Sequence, residues 1–295
     1  MKRKIRDSFS PPPLSRNLVS RSRLIEYICE DEIPALTLIT APSGFGKTTL
    51  MLQCFSKLQA ANKHVSWITI EEFKNYKSTF EKIVDEAIGT SENSLEDDIV
   101  HAIVFIDDLH FLNNISVTEY LSSKLLYNDN HVSFIVGSRH APDLPLGRLR
   151  MLGQLREVTT NDLRFSTHET MELLNSLFNE GIAEELAQQF NDRVEGWVAA
   201  VQLLASNRNQ AASEEVLQKF SGRNHEMVEF LGKDVLNREE EHIREFIINT
   251  SVCSKFTGPL CEKLTGRDDS SKILEHIEHR NLFISNIDKP VYLQY

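Results

Sequence analysis

The apolar positions follow two regimes along the chain, and the boundary lies near Phe165. Before it, short apolar runs alternate with longer stretches of helical spacing. Leu36-Thr37-Leu38-Ile39-Thr40 reads as a strand buried on both faces. Val65-Ser66-Trp67-Ile68-Thr69, Ala102 to Ile106, Ser133 to Gly137 and Leu155 to Val158 have the same character. Between them the spacing predicts helices: Arg21 to Glu30, Thr48 to Asn62, Phe73 to Ile88 and Ser116 to Leu126. Strands alternating with helices of that length imply an α/β fold: a five-stranded parallel sheet covered on both faces, with right-handed crossovers. Ser91 to Asp98 reads as an acidic surface loop.

After Phe165 helical spacing dominates. Ser166-Thr167-His168-Glu169 has the form of a capping box, Ser166 being the N-cap and Glu169 the residue three further on. It opens a helix over 166–179, followed by 182–192, 196–207, 212–220 and 225–236. Asn237 to Thr250, Gly258 to Leu264 and Ser270 to Arg280 form a third helical group. Asn281 to Ser285 and Val291 to Tyr295 read as two strands joined through Asp288-Lys289-Pro290. Helices followed by a hairpin suggest a winged helix, and a last strand running to the final residue suggests a piece of a longer protein. The expected organisation is an arm over 1–18 (basic, then Pro11-Pro12-Pro13), a nucleotide-binding domain over 19–162, a helical lid over 163–224 and a partial winged helix over 225–295.

A chain of 295 residues suits two or three packed units. Its formal net charge of −11 disfavours phosphate backbones, so these residues are not expected to bind DNA themselves. The four cysteines, Cys29, Cys54, Cys253 and Cys261, form no C-x-x-C pair and read as reduced thiols. No apolar segment follows the basic start as a secretory signal would require, and no apolar run is long enough to span a membrane. The expected location is cytoplasmic.

The chemistry lies at the strand ends. Ala41-Pro42-Ser43-Gly44-Phe45-Gly46-Lys47-Thr48 has Walker A spacing, with Ala41 in place of the usual first glycine. Small residues let backbone N–H groups close around phosphate oxygens. Lys47 supplies a cation to the β- and γ-phosphates of ATP or ADP, and the Thr48 hydroxyl is a Mg²⁺ ligand. Ile103-Val104-Phe105-Ile106-Asp107-Asp108 reads as Walker B, four apolar strand residues with acid at the tip. Asp107 is placed to hold Mg²⁺ through water, and Asp108 to orient or deprotonate the attacking water. Ser138-Arg139 ends the fourth strand, where an arginine reaches the γ-phosphate or makes a rim salt bridge. No chemical step is assigned to His110. Trp197, Ala200, Val201 and Leu204 form a helical stripe that reads as packing.

With these residues in place, the chain resembles the N-terminal ATPase module of MalT-like regulators, large ATP-binding activators of the LuxR family within the STAND group. The likeness is carried by Val19-Ser20-Arg21-Ser22-Arg23-Leu24, Thr40 through Thr49-Leu50, Phe105-Ile106-Asp107-Asp108-Leu109-His110 and Gly137-Ser138-Arg139. Asp162-Leu163-Arg164-Phe165, Glu195-Gly196-Trp197, Thr257-Gly258-Pro259-Leu260-Cys261 and Asn281-Leu282-Phe283 extend it. The resemblance implies nucleotide contacts from Ala41 through Thr49 and from Arg21, Mg²⁺ on Thr48 and Asp107, and catalytic parts for Lys47, Asp108 and Arg139. It implies ADP held at rest, self-association in the ATP-bound state, and slow hydrolysis as the reset. A small-molecule inducer and DNA would be bound through regions beyond Tyr295. STAND relatives often carry a Gly-x-Pro motif contacting ADP, whereas Gly196-Trp197-Val198 has no proline. Two other readings share the loop: a nucleotide-dependent scaffold without hydrolysis, and a P-loop kinase acting on a small molecule.

Overall fold

Leu36–Thr40 forms strand β1, with Leu36, Leu38 and Ile39 shut off from solvent. In this computed structural model the described residues are 10–13, 18–30, 32–70, 77–89, 101–111, 115–127, 131–178, 181–206, 231–232, 236–253, 255–279, 282, 285–288 and 292–294. The expected acidic loop and the expected helices over 212–220 and 225–236 lie outside them, apart from residues 231, 232 and 236.

The remaining strands are β2 (His64–Thr69), β3 (Ala102–Asp107), β4 (Val132–Ser138) and β5 (Leu155–Val158). They pair in the order β2-β3-β4-β1-β5, all parallel, as the alternation of strands and helices predicts. Helices α1 (Ser22–Ile28), α2 (Lys47–Ala60), α3 (Lys77–Gly89) and α4 (Ile115–Leu126) are those the spacing predicts, with ends shifted by a few residues. Two short helices, α5 (Leu146–Met151) and α6 (Thr160–Leu163), are too brief for a periodic signal. Among the described residues no helix is long and apolar enough to cross a membrane.

The pleat sorts strand residues between two cores. Leu36, Leu38, Ile68, Ala102, Val104, Ile106, Val132, Phe134 and Val136 share one buried cluster with Phe80, Val84, Val117 and Leu121 of α3 and α4. On the opposite face Phe55 of α2 meets Phe105 edge-on at 5.4 Å, and Trp67 stacks on Phe105 at 5.6 Å. Successive strand residues point to opposite faces. Asp107, two residues after Phe105, therefore belongs to the α2 face.

By contacts the chain divides into two units. One holds Met1–Ala41 with Gly46–Arg164; the other holds Pro42–Phe45 with Phe165–Tyr295. In the second, α7 (Thr167–Phe178), α8 (Glu184–Val194) and α9 (Val198–Ser206) are all helical. The capping box is complete: Glu169 N donates to Ser166 Oγ at 3.2 Å, and Ser166 N to Glu169 Oε2 at 2.9 Å. Helices α10 (Glu241–Thr250), α11 (Gly258–Thr265) and α12 (Ser270–His279) enclose a core of Ile243, Phe246, Phe256, Cys261, Ile273, Leu274, Ile277 and Leu282.

An antiparallel pair follows, β6 (Ser285–Asp288) with β7 (Tyr292–Gln294). The first of these strands starts where the sequence pattern has it end. Leu282 explains the difference: it is buried, and its N–H donates to Ile277 O at 3.1 Å, closing α12. It therefore plugs the helical core before the strand begins. Helix α10 likewise starts at Glu241, later than the expected Asn237, because a 3₁₀ turn occupies Leu236–Arg238.

Candidate functional site

The loop after β1 turns through two left-handed glycines, Gly44 at φ 83° and Gly46 at φ 82°, and Lys47 opens α2. Only glycine enters that region without strain. Lys47 is 7% exposed and donates from Nζ to Ala41 O at 2.7 Å, so its ammonium lies folded under the loop. Burial pushes its pKa down to about 8, and the charge of Arg139 adds to that effect. Asp108 and then Asp107 pull the other way.

The strand order explains why residues so far apart in sequence share this place. Strand β4 lies between β1 and β3, so its tip is flanked by the phosphate loop and the acidic pair. Thr40 sits in register with Ser138, and Ala41 N donates to Ser138 O at 3.3 Å, extending the pairing into the loop. Arg139 is the next residue.

Thr48 Oγ1 donates to Asp107 Oδ2 at 2.8 Å, joining the first turn of α2 to the end of β3. Asp107 is 3% exposed. Burial, and then the charge of Asp108, raise its pKa to about 6 despite the bond from Thr48. Asp108 is left-handed at φ 58°, uncommon for a residue with a Cβ, and its N–H donates to Asp107 Oδ1 at 3.0 Å. The two acids thus diverge: Asp107 turns inward under α2, while Asp108 stays 30% exposed, 3.8 Å from His110 Nδ1.

Gly137 is a part of the site that sequence reasoning missed. A Cβ there would lie 2.7 Å from Met51 Sδ and 2.9 Å from Asp107 Oδ1. The missing side chain leaves room for both Met51 and Asp107. A glycine within an otherwise apolar strand was the available signal.

Arg21 is the N-cap of α1. Its guanidinium, in a side chain 6% exposed, donates to Leu163 O at 2.9 Å, Asp162 O at 3.1 Å and Arg164 O at 3.5 Å. These contacts tie the start of α1 to the segment after β5.

The donor set suits a nucleotide with Mg²⁺. Among the described residues no group of three or more His, Cys, Asp or Glu is placed to hold a metal alone. Magnesium in phosphoryl-transfer sites takes one or two protein oxygens and completes its shell with water and phosphate. Thr48 and Asp107, already 2.8 Å apart, are such a pair.

Residues 232–293 match the family described as the MalT winged helix domain. The chain is 26% identical to the HTH-type transcriptional regulator MalT of Yersinia pestis over 96% of its own length. It is 30% identical to the serine/threonine-protein kinase PknK of Mycobacterium tuberculosis over 95% of its length. It spans about a third of the first (34%) and 28% of the second. Among solved structures, the Walker-type ATPase PABY2304 of Pyrococcus abyssi shares the fold at TM-score 0.63 and 12% identity, covering 97% of this chain and 95% of that one. Over this segment the chain is therefore similar to MalT-type proteins, shares its fold with a Walker-type ATPase, and resembles the MalT winged helix domain over residues 232–293.

Proposed function

We propose that this chain is the ATP/ADP-binding switch module of a signal-responsive transcriptional activator, holding ADP at rest and assembling with copies of itself when ATP-bound. Slow hydrolysis resets it. The inducer and the DNA are engaged through other parts of the protein, beyond Tyr295. Two relatives with different names, a transcriptional regulator and a protein kinase, are similar to the chain over this same segment. That supports reading the segment as the switch rather than the output.

The observation that carries the proposal is the bond of Thr48 to Asp107, together with the burial of the neighbouring Lys47. That bond joins the two segments that this reading takes as the halves of a phosphoryl-transfer site. In this reading Lys47 leaves Ala41 O to pair with the β- and γ-phosphates, and the amides of the loop after Ala41 face the same oxygens. Thr48 and Asp107 would hold Mg²⁺, which when bound would offset phosphate charge. Asp108, more exposed and pointing away from Asp107, orients the attacking water and accepts its proton. Arg139 borders the γ-phosphate position.

The test is direct. Purified protein is denatured and its supernatant chromatographed for ADP and ATP, and emptied protein is offered labelled ATP with Mg²⁺. Nucleotide should be present or taken up. Phosphate should then appear slowly in water alone. An empty site that takes up no ATP overturns the proposal, and phosphate transfer only to an added acceptor points to a kinase.

A further inference from the structure

The turn at Glu195-Gly196-Trp197 is held more tightly than packing alone requires. Glu195 closes α8 in the left-handed region at φ 49°, and Gly196 follows at φ 70°. Phe165 N donates to Gly196 O at 3.0 Å, Gly196 N to Asn191 O at 3.2 Å, and Trp197 N to Val194 O at 2.9 Å. Asn191 is itself fixed, accepting from Thr170 Oγ1 at 2.7 Å and donating to Phe165 O at 3.1 Å.

The turn so fixed presents two donors to residues of its own unit, Pro42–Phe45. Trp197 Nε1 donates to Ser43 O at 3.0 Å, and Ala199 N to Gly44 O at 3.0 Å. The approach leaves no space for a side chain: a Cβ on Gly44 would lie 2.5 Å from Trp197 Nε1 and 2.6 Å from Ala199 Cβ.

A planar trans peptide points its carbonyl and the following N–H in opposite directions. With Ser43 O held by the indole, the N–H of Gly44 is turned away from the indole. With Gly44 O held by Ala199, the N–H of Phe45 is turned away from α9. These are amides of the phosphate loop, and a flip of either peptide would present a carbonyl oxygen to the anion instead.

We propose that Trp197, together with the Ala199 amide, is a positioning residue for polyphosphate binding. It locks the Ser43–Gly44 and Gly44–Phe45 peptides so that their amides serve a nucleoside di- or triphosphate, or pyrophosphate itself. The proposal rests on the nucleotide reading of Ala41–Thr48 and adds the device that presets the loop.

Trp197→Phe keeps the buried ring and removes the N–H. ADP and, separately, pyrophosphate are titrated with Mg²⁺ into wild type and variant by calorimetry, and both proteins are melted without ligand. The variant should bind both ligands more weakly, by roughly three- to tenfold, the loss of about one hydrogen bond. Its melting temperature should stay within about 4 °C of wild type. Unchanged affinity for both ligands overturns the proposal and leaves the nucleotide reading standing. Loss for ADP but not pyrophosphate also overturns it, because the indole would then be serving the base. A wild type that binds neither ligand sinks the nucleotide reading itself.

If Trp197→Phe does not fold, emission serves instead. The chain has two tryptophans, and Trp67 is fully buried with its Nε1 donating to Thr69 Oγ1 at 3.0 Å. In a Trp67→Phe background the emission of Trp197 should change with ADP and with pyrophosphate but not with adenosine. Emission unmoved by pyrophosphate overturns the proposal.

Discussion

Thr48 Oγ1 lies 2.8 Å from Asp107 Oδ2, and that bond distinguishes the surroundings of two adjacent acids. Asp107 is committed to the hydroxyl at the start of α2, while Asp108 turns outward through its left-handed backbone. Asp107→Asn should weaken the Mg²⁺-dependent part of nucleotide binding. Asp108→Asn should leave Mg²⁺·ATP binding largely intact and slow phosphate release by about a hundredfold or more. Mg²⁺ titrations of ATP binding, beside single-turnover phosphate release, measure both. Equal loss of Mg²⁺·ATP affinity in the two variants overturns the division.

The pH dependence follows from the two buried groups. The Lys47 pKa is lowered to about 8, chiefly because burial strips water from its ammonium. Binding a phosphate anion requires the charged form. Above about pH 8 each binding event must therefore take up a proton, and ADP affinity should fall by up to about tenfold per pH unit. Asp107 titrates near pH 6, so the sign reverses there. Below that value a proton must leave before the carboxylate can serve a cation, and the Mg²⁺-dependent increment should fade. Lys47→Ala should cost about a hundredfold in ADP affinity and erase the alkaline slope. An alkaline slope surviving in that variant would assign the slope to another group.

Arg21 separates a structural role from a binding role. Its guanidinium satisfies carbonyls at Asp162, Leu163 and Arg164, and truncation leaves buried acceptors without it. Arg21→Ala should lower stability by about 3 kcal/mol, or roughly 6–12 °C in melting temperature. Lysine at this position should restore only part, because it lacks the planar fork. The fraction that stays folded should bind ADP as wild type does. A large affinity loss with an unshifted melting curve would instead assign Arg21 to the nucleotide site.

The residues that announced themselves in the sequence did so through local pattern. Four apolar residues ending in Asp107 reveal a strand and its tip, and Gly-Lys-Thr after an apolar run reveals the loop and its helix. Arg21 gave no such signal, because its main carbonyl partner lies 142 residues away and periodicity carries no information over that span. Trp197 is the sharper case. Its stripe with Ala200 and Val201 is buried, as packing requires. The stripe places the ring but says nothing of the N–H, which finds Ser43 O across 154 residues. Gly137 fell between these cases, visible as an oddity in a strand and explicable only once Asp107 is seen beside it.

Arg139 offers the test of nucleotide sensing. It follows β4, whose tip lies between the phosphate loop and the acids, and its charge already depresses the Lys47 pKa. A ligand shifts a conformational equilibrium only through its differential affinity for the two states. ADP and ATP differ only in the γ-phosphoryl, so a residue meeting that group carries part of the difference. A charge-assisted contact contributes about 1.5–3 kcal/mol, roughly a ten- to hundredfold change in an equilibrium ratio. Arg139→Ala should therefore keep ADP affinity nearly normal and lower the ATP-to-ADP affinity ratio by about that factor. Removing the neighbouring positive charge should also let Lys47 hold its proton longer. The alkaline midpoint of ADP binding should then move above the wild-type value near pH 8. Both readouts come from one set of titrations with ATP and ADP across pH. A shifted midpoint with an unchanged ratio would make Arg139 a neighbour of Lys47 that does not sense the γ-phosphate.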